Sequence, residues 1–223
     1  MTPAGTTVEI NKAHFPVTVL GPGRRIGLWL QGCSIGCKGC VSMDTWPRDP
    51  GKTITVRDLI GWCRQVASTG LDGVTISGGE PFDQPAALLR LLLGLQEWRV
   101  QSGMNFDVIC FSGYPLKRLR RRHPKILALL DAIIPEPFID GQPTQKPWRG
   151  SGNQPLVPLS ERGRTLYTHD SLVSCTVGSK SMQVAVEGGK VWMIGIPERG
   201  DMAQLESLCQ SRGLNLEQVS WRR

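Results

Sequence analysis

Apolar positions along the chain alternate between short continuous runs, which predict strands, and stretches of helical spacing. The runs predict four strands, at Arg25–Gln31, Gly73–Ser77, Phe106–Phe111 and Ala132–Ile139. The helical stretches between them predict three helices, over about Thr55–Ser68, about Gln84–Gln101 and a basic segment that ends near Leu130. Strands and helices that alternate with short connections favour parallel βαβ units, with ligands bound at the carboxyl ends of the strands. The predicted fold class is therefore α/β.

The composition changes after Asp140, where about 25 residues rich in proline, glycine and polar side chains predict a long loop or a domain seam. Beyond it, the sequence predicts two strands, Met182–Glu187 and Lys190–Ile194, joined by a tight turn at Gly188 and Gly189. A short amphipathic helix is predicted after them, at Asp201–Ser211. We therefore predict a core domain over residues 1–160 and a small α+β extension with a β-hairpin over 161–223.

Length and composition narrow the class of protein. A chain of 223 residues and 24.5 kDa fits one domain, or a core with a modest appendage. With 40% hydrophobic and 20% charged residues, it is neither disordered nor of low complexity. No apolar stretch is long enough for a membrane helix, and the first residues do not resemble a signal peptide. We expect a soluble, cytoplasmic protein without a membrane partner.

Positive charge is concentrated in the predicted basic helix. The chain has a net charge of +7, and its densest run of cations is Lys117, Arg118, Arg120, Arg121 and Arg122. Two interpretations stay open, namely a solvated helix face and a docking patch for an acidic partner protein. No aromatic residues are interleaved for base stacking, so a nucleic-acid partner is not expected.

Three of the seven cysteines, Cys33, Cys37 and Cys40, fall within eight residues on the loop after the first predicted strand. An odd number and this crowding argue against a disulfide framework. Three thiolates on a glycine-rich loop suit an iron–sulfur cube with one open iron, whereas a structural zinc would need a fourth ligand, and none is near. Zinc and merely redox-active thiols remain alternatives. The other four are expected to be buried apolar residues, with a Cys175–Cys209 pair left open: Cys63, Cys110, Cys175 and Cys209.

A second motif, SGGEP, ends the second predicted strand at Ser77–Pro81. Its two glycines present bare backbone to a ligand, and the Glu80 carboxylate suits a cationic amino group. On its own this motif is weak, since glycine turns commonly end strands.

The two motifs together resemble the radical S-adenosylmethionine superfamily, and within it the activases of glycyl-radical enzymes, above all that of anaerobic ribonucleotide reductase. Further segments similar to the family are Asp44-Thr45-Trp46, Ser77–Pro85, Phe111–Tyr114, Phe138–Gly141 and Arg149–Gln154. The resemblance covers roughly residues 10–158. It implies an incomplete (β/α) barrel with mostly parallel strands.

The resemblance also implies site residues. Cys33, Cys37 and Cys40 would hold a [4Fe–4S] cluster, whose open iron binds S-adenosylmethionine. Gly78, Gly79 and Glu80 would position the methionyl amino group. Ser112, Gly113 and Tyr114 would lie near the ribose or adenine, and Gly39 would pass close to the adenine. Ser77 is a further expected cofactor-binding residue.

The implied reaction begins with one electron from a flavodoxin- or ferredoxin-like donor. It cleaves S-adenosylmethionine to methionine and a 5′-deoxyadenosyl radical, which takes a hydrogen atom from a glycine of a partner protein. One alternative is a radical enzyme of the same core with a small-molecule or peptide substrate. Another is a non-catalytic iron–sulfur electron carrier or a zinc-stapled adaptor. The extension, which the short activases would not need, is either a partner-recognition or gating element or a packing appendage at the sheet edge.

Overall fold

A computed structural model of the chain describes residues 5–168, 181–187, 190–216 and 219–222. In these ranges a seven-stranded sheet is covered by helices, and a two-stranded hairpin forms a second sheet. The strands are β1 Thr7–Val17, β2 Arg25–Leu30, β3 Thr53–Thr55, β4 Gly73–Gly78, β5 Asp107–Phe111, β6 Ala132–Ile134, β7 Val157–Pro158, β8 Met182–Glu187 and β9 Lys190–Gly195. The α-helices are α1 Val56–Val66, α2 Pro85–Ser102, α3 Leu116–Arg122, α4 Pro124–Leu127, α5 Glu161–Leu166 and α6 Asp201–Ser211.

The large sheet has the strand order β3-β1-β2-β4-β5-β6-β7. Its centre, β2-β4-β5-β6, is parallel, and the outer pairs are antiparallel. The predicted α/β class with a mainly parallel central sheet is confirmed. Among the described strands β3 and β7 are opposite edges and do not pair, so the sheet is open. The incomplete barrel stays a prediction, because strand pairing gives the order of strands and not their curvature.

The parallel strands are buried on both faces, which explains their continuous apolar sequence. All six residues of β2 are buried, and Ile26, Leu28 and Leu30 join one core with the leucines of α1 and α2. On the opposite face, Ile109 and Ile134 join a smaller core that contains Tyr167. The two cores therefore hold the sheet from both faces and thereby fix the positions at which the loops leave its carboxyl edge.

Helix boundaries follow local capping chemistry. The Thr55 hydroxyl accepts a hydrogen bond from the Asp58 amide at 3.1 Å and caps the start of α1. Helix α2 ends at Gly103, whose φ of 67° is the left-handed conformation that glycine adopts without strain. Both helices begin within a residue of the expected position.

Three features differ from the sequence predictions. Strand β1 was not predicted, because its alternation is interrupted by polar residues, yet it pairs with both β2 and β3. The strand expected over Ala132–Ile139 ends at Ile134, since Pro135 and Pro137 have no amide to donate. The basic helix is divided at His123 because proline follows it.

A buried ion pair connects the first residues of β2 and β5. The Arg25 guanidinium donates to both Asp107 oxygens, at 2.8 and 2.9 Å, and to the Thr75 hydroxyl at 2.7 Å. The Tyr167 hydroxyl donates to the same carboxylate. Tyr167 is buried with the core although it lies beyond residue 160. Helix α5 also packs directly on the sheet, with Gly163 against the Asp131 carbonyl. The division at residue 160 stays a prediction.

The extension contains the predicted hairpin and helix. Strands β8 and β9 pair antiparallel, and α6 has the expected bounds. The glycine turn of the hairpin and Cys175 lie outside the described residues. Residues 219–222 return to the core, where the Met43 amide donates to the Ser220 carbonyl at 2.7 Å. No helix in the described ranges combines the length and apolarity required to cross a bilayer.

Candidate iron–sulfur and cofactor site

The cysteine loop leaves the carboxyl end of β2 and is held at its base by backbone hydrogen bonds. The Gly32 amide donates to the Thr45 carbonyl at 2.7 Å, and the Cys33 amide donates to the Trp46 carbonyl at 2.9 Å. Cys33, Cys37 and Cys40 are free thiols, and each is half-buried. Three thiols on one loop are therefore presented at the carboxyl edge of the sheet.

Backbone amides surround the three sulfurs. The amides of Ile35 and Gly36 bond Cys33, that of Phe138 bonds Cys37, and that of Ser42 donates to Cys40 Sγ at 3.4 Å. Burial raises the pKa of the Cys33 and Cys37 thiols, and these amide donors oppose that rise. Such N–H···S bonds favour the thiolate, which is the form that binds a metal.

The glycines of SGGEP allow the loops after β2 and β4 to meet at backbone distance. The Gly79 amide donates to the Leu30 carbonyl at 2.8 Å, and the Glu80 amide donates to the Gly32 carbonyl at 2.9 Å. A Cβ on Gly79 would lie 2.1 Å from the Gly32 carbonyl oxygen, and Gly78 has a φ of 104°. Side chains at these positions would separate the two loops.

Glu80 is fully buried and connects this turn to the one after β5. Its carboxylate accepts hydrogen bonds from Ser112 Oγ at 2.8 Å, the Gly113 amide at 2.7 Å and the Phe82 amide at 3.0 Å. Burial raises the pKa of Glu80 to about 7, and these three donors partly oppose the rise. Both oxygens have protein partners, so Glu80 braces the turns. Its expected contact with an amino group stays a prediction.

Tyr114 connects the loop after β5 to the cysteine loop. Its hydroxyl lies 2.8 Å from Ser34 Oγ and donates to Asp83 Oδ1 at 2.6 Å. Asp83 also accepts the Ser34 amide at 2.7 Å. Sequence reasoning did not select Asp83 as a site residue. Its signal was its place three residues after Glu80 in the similar segment SGGEPFDQP.

The segment after β6 covers the other side of the cysteine loop. A Cβ on Gly39 would meet the Asp140 carboxylate at 3.2 Å. The turn at Arg149–Gln154 supports this segment. The Gln154 side-chain amide donates to the Glu136 carbonyl at 2.9 Å, and the Asn153 side-chain amide donates to the Pro137 carbonyl at 2.8 Å. The turn thus has a structural role beside the loop.

Most of the expected site residues lie at one edge. The cysteine loop is joined to the Gly78–Glu80 turn through Gly32 and to the Ser112–Tyr114 turn through Ser34, and Glu80 joins the two turns. Gly39 faces Asp140. Ser77 is half-buried at the end of β4, beside Trp29 of β2. A cavity of about 710 Å³ opens beside Cys33, with Val219 and Arg222 of the C-terminal segment in its wall. Sequence reasoning did not place that segment near the cysteines.

Comparison with known proteins identifies the family. The model of the 4Fe-4S single cluster domain family matches residues 19–157. The chain belongs to this iron–sulfur family, in the radical S-adenosylmethionine superfamily.

Activating proteins are among the curated relatives. The chain is 31% identical over 145 residues to the anaerobic ribonucleoside-triphosphate reductase-activating protein of Vibrio cholerae, covering 63% of this chain and 92% of that one. It is 28% identical over 138 residues to the same-named protein of phage T4, covering 62% and 86%. It is 36% identical over 123 residues to the pyruvate formate-lyase-activating enzyme of Staphylococcus aureus, covering 52% and 47%.

The cofactors of this family are a [4Fe–4S] cluster and S-adenosylmethionine, and the donor set of the chain fits the cluster. Three half-buried thiols share one loop, and amides bond the sulfurs, which tunes cluster potentials. The described residues contain no group of three or more His, Cys, Asp or Glu spaced for a single metal ion.

Proposed function

We propose that this enzyme generates a glycyl radical on a partner protein of the anaerobic ribonucleotide reductase class. One observation carries the proposal, namely the direct junction of the cysteine loop with the SGGEP turn through the Glu80 amide and the Gly32 carbonyl at 2.9 Å. This junction puts the expected cluster ligands next to the expected cofactor turn at one sheet edge. The activating-protein relatives, covered over up to 92% of their length, support the same class of reaction.

In this proposal Cys33, Cys37 and Cys40 hold the cluster. Gly78 and Gly79 would hold the methionyl end of S-adenosylmethionine with their bare backbone, and Ser112, Gly113 and Tyr114 would hold its nucleoside end. When bound, the cluster and S-adenosylmethionine supply a carbon-centred radical that removes a hydrogen atom from the substrate.

The protein's own residues hold the loops of the site in one geometry. Glu80 fixes its own turn relative to the turn Ser112–Tyr114 through the hydrogen bonds that it accepts from Ser112 Oγ and the Gly113 amide. Tyr114 and Asp83 tie Ser34, and with it the cysteine loop, to the same frame. Holding reacting groups in one geometry is what the reaction requires of the protein, because a reactive radical must meet its target at contact distance.

A second candidate, a radical enzyme of the same core that acts on a different small molecule or peptide, has one observation in its favour. The C-terminal segment lines the cavity beside Cys33, and the family match ends at residue 157. A wall that the family match does not include would give the site a different shape.

The test begins with anaerobic reconstitution with iron and sulfide. Dithionite and S-adenosylmethionine are then added, and 5′-deoxyadenosine is measured by chromatography. We expect product from the wild type and none from the Cys33→Ala/Cys37→Ala/Cys40→Ala variant. Addition of anaerobic ribonucleotide reductase should then produce the electron paramagnetic resonance signal of a glycyl radical.

Two results would redirect the proposal. Cysteine-dependent 5′-deoxyadenosine without a glycyl radical on the reductase would favour the second candidate. A reconstituted cluster without any 5′-deoxyadenosine, with or without reductase, would favour an electron carrier.

A further inference from the structure

Helix α3 exposes an unusual row of positive charge. Five of its seven residues are exposed cations, and only Leu119 is buried: Lys117, Arg118, Arg120, Arg121 and Arg122. None of the five forms an ion pair with any carboxylate of the described ranges. Like charges three and four positions apart destabilise a helix.

The basic helix lies next to the cysteine loop. The Arg118 guanidinium stands 3.7 Å from the centre of the Tyr114 ring, and the Tyr114 hydroxyl lies 2.8 Å from Ser34 Oγ. Ser34 directly follows Cys33. On the same side, a Cβ on Gly113 would lie 3.1 Å from the Ile35 side chain. Two side-chain contacts thus connect Arg118 of α3 to Ser34, the neighbour of the first cysteine.

We propose that α3 is the docking surface for a small acidic protein that donates single electrons. The inference rests on the proposed function, since it requires a redox centre at the cysteine loop. On docking, the donor would be oxidised by one electron and that centre reduced by one, with no bond formed between the proteins. A cationic row beside the centre attracts an acidic donor and places it at short range.

The chemistry of α3 favours a protein over a nucleic acid. Single-stranded nucleic acids are held by aromatic rings that stack on bases between the cations. Helix α3 contains no aromatic residue, and Arg118 already covers one face of the nearby Tyr114 ring. An acidic protein surface requires only charge complementarity.

Binding of an acidic flavodoxin tests the proposal directly. Its Kd is measured by titration calorimetry, at low and high salt, with both cluster-free and reconstituted enzyme. We expect Lys117→Glu/Arg120→Glu/Arg121→Glu to raise Kd by about tenfold or more at low salt. The milder Lys117→Gln/Arg120→Gln/Arg121→Gln should give an intermediate rise, and both variants should bind with weaker salt dependence than the wild type.

The matched control is Arg57→Glu/Arg64→Glu/Arg199→Glu, which makes the same change in net charge at exposed positions outside α3. It should change Kd by less than about threefold, since only the long-range part of the attraction is lost. Circular dichroism verifies folding, and the glutamine variant decides the matter if the glutamate variant unfolds. Equal Kd changes in the α3 and control variants would overturn the proposal. So would α3 variants that lose affinity for the reductase or for DNA but keep that for flavodoxin.

Dithionite-driven formation of 5′-deoxyadenosine separates this inference from the proposed function. The α3 variants should keep that activity, because dithionite needs no docking surface. A wild type that binds flavodoxin through α3 but forms no 5′-deoxyadenosine would contradict the proposed function alone. Full dithionite activity with flavodoxin binding that does not depend on α3 would contradict the docking surface alone.

Discussion

Ser112 Oγ donates a hydrogen bond of 2.8 Å to Glu80 Oε1 and thereby joins the turns that follow β4 and β5. The two residues are 32 positions apart in the chain. Glu80 also contacts the cysteine loop through its own amide and the Gly32 carbonyl. Glu80 is therefore in contact with all three loops of the site, through its carboxylate and through its backbone amide.

The buried Glu80 carboxyl should make stability depend on pH. Its pKa is raised from 4.5 to about 7 by burial, so between these values the folded protein holds a proton that the unfolded chain releases. The free energy of unfolding should therefore fall as pH rises through this window, by on the order of 3 kcal/mol. Chemical denaturation of the cluster-free protein at several pH values measures the slope.

Glu80→Gln should flatten that slope, because the titrating group is gone. Asp58→Asn, at an exposed carboxylate near the start of α1, should leave it unchanged. A slope that persists in Glu80→Gln would show that another group is responsible.

Cys37→Ala should prevent assembly of the cluster, because two thiolates hold a cube poorly. Loss of a residue that only hydrogen-bonds to a metal ligand lowers metal affinity by about tenfold or more, so loss of a ligand itself should lower cluster affinity at least as much. Iron and sulfide analysis after anaerobic reconstitution measures the effect. Cys209→Ala, at a half-buried thiol of α6, should retain full iron. Wild-type iron content in Cys37→Ala would remove that residue from the ligand set.

Gly79→Ala should separate the cysteine loop from the SGGEP turn. The new Cβ would meet the Gly32 carbonyl oxygen at 2.1 Å, where rigid backbone cannot yield without a shift of the loop. We expect a loss of about 1–3 kcal/mol in stability, together with weaker binding of S-adenosylmethionine. Thermal melts and equilibrium dialysis measure the two effects.

Gly61→Ala is the matched control. This glycine lies within α1 and has no atom within 4 Å of its Cβ position, so alanine should stabilise the helix by about 0.5–1 kcal/mol. If Gly79→Ala behaved like Gly61→Ala, the close approach of the two loops would be unimportant.

Arg25→Met should be among the most destabilising single changes at this sheet. It leaves the Asp107 carboxylate buried without its cation, which costs about 3–5 kcal/mol. The neighbouring Arg24 is exposed, and Arg24→Met should cost less than about 1 kcal/mol. Urea denaturation of both variants tests this difference. Equal losses would show that the buried pair contributes nothing beyond its packing.

Removal of residues 217–223 should loosen the cysteine loop on its outer side. The Met43 amide then loses its acceptor, the Ser220 carbonyl, and its hydrogen exchange should accelerate by about tenfold or more. Glu206→Gln should have a smaller effect in the same direction, because Glu206 accepts the Trp221 indole N–H at 2.5 Å and pairs with Arg222. The amide of Ile76 in β4 serves as internal control. Unchanged exchange at Met43 would mean that the segment does not restrain the loop in solution.

The chemistry of the candidate site could be predicted from the sequence because each of its motifs lies within a few neighbouring residues. Cys33, Cys37 and Cys40 share one short loop, and Gly78, Gly79 and Glu80 follow a strand directly, so each motif needs only its own neighbours to be recognised. The buried parallel strands were predictable for a similar reason, since burial on both faces leaves a continuous apolar run. Strand β1, whose pattern is interrupted by polar residues, was not.

Only the tertiary structure decided which groups meet. The Glu80 carboxylate accepts hydrogen bonds from residues 82, 112 and 113, and Asp83 joins Ser34 to Tyr114. The C-terminal segment reaches Met43 from 177 residues away in the chain. Contacts of this kind arise from the packing of distant elements, for which hydrophobic periodicity and motif spacing hold no signal. The sequence thus determined which chemistry the chain carries, and the fold determined how that chemistry is held together.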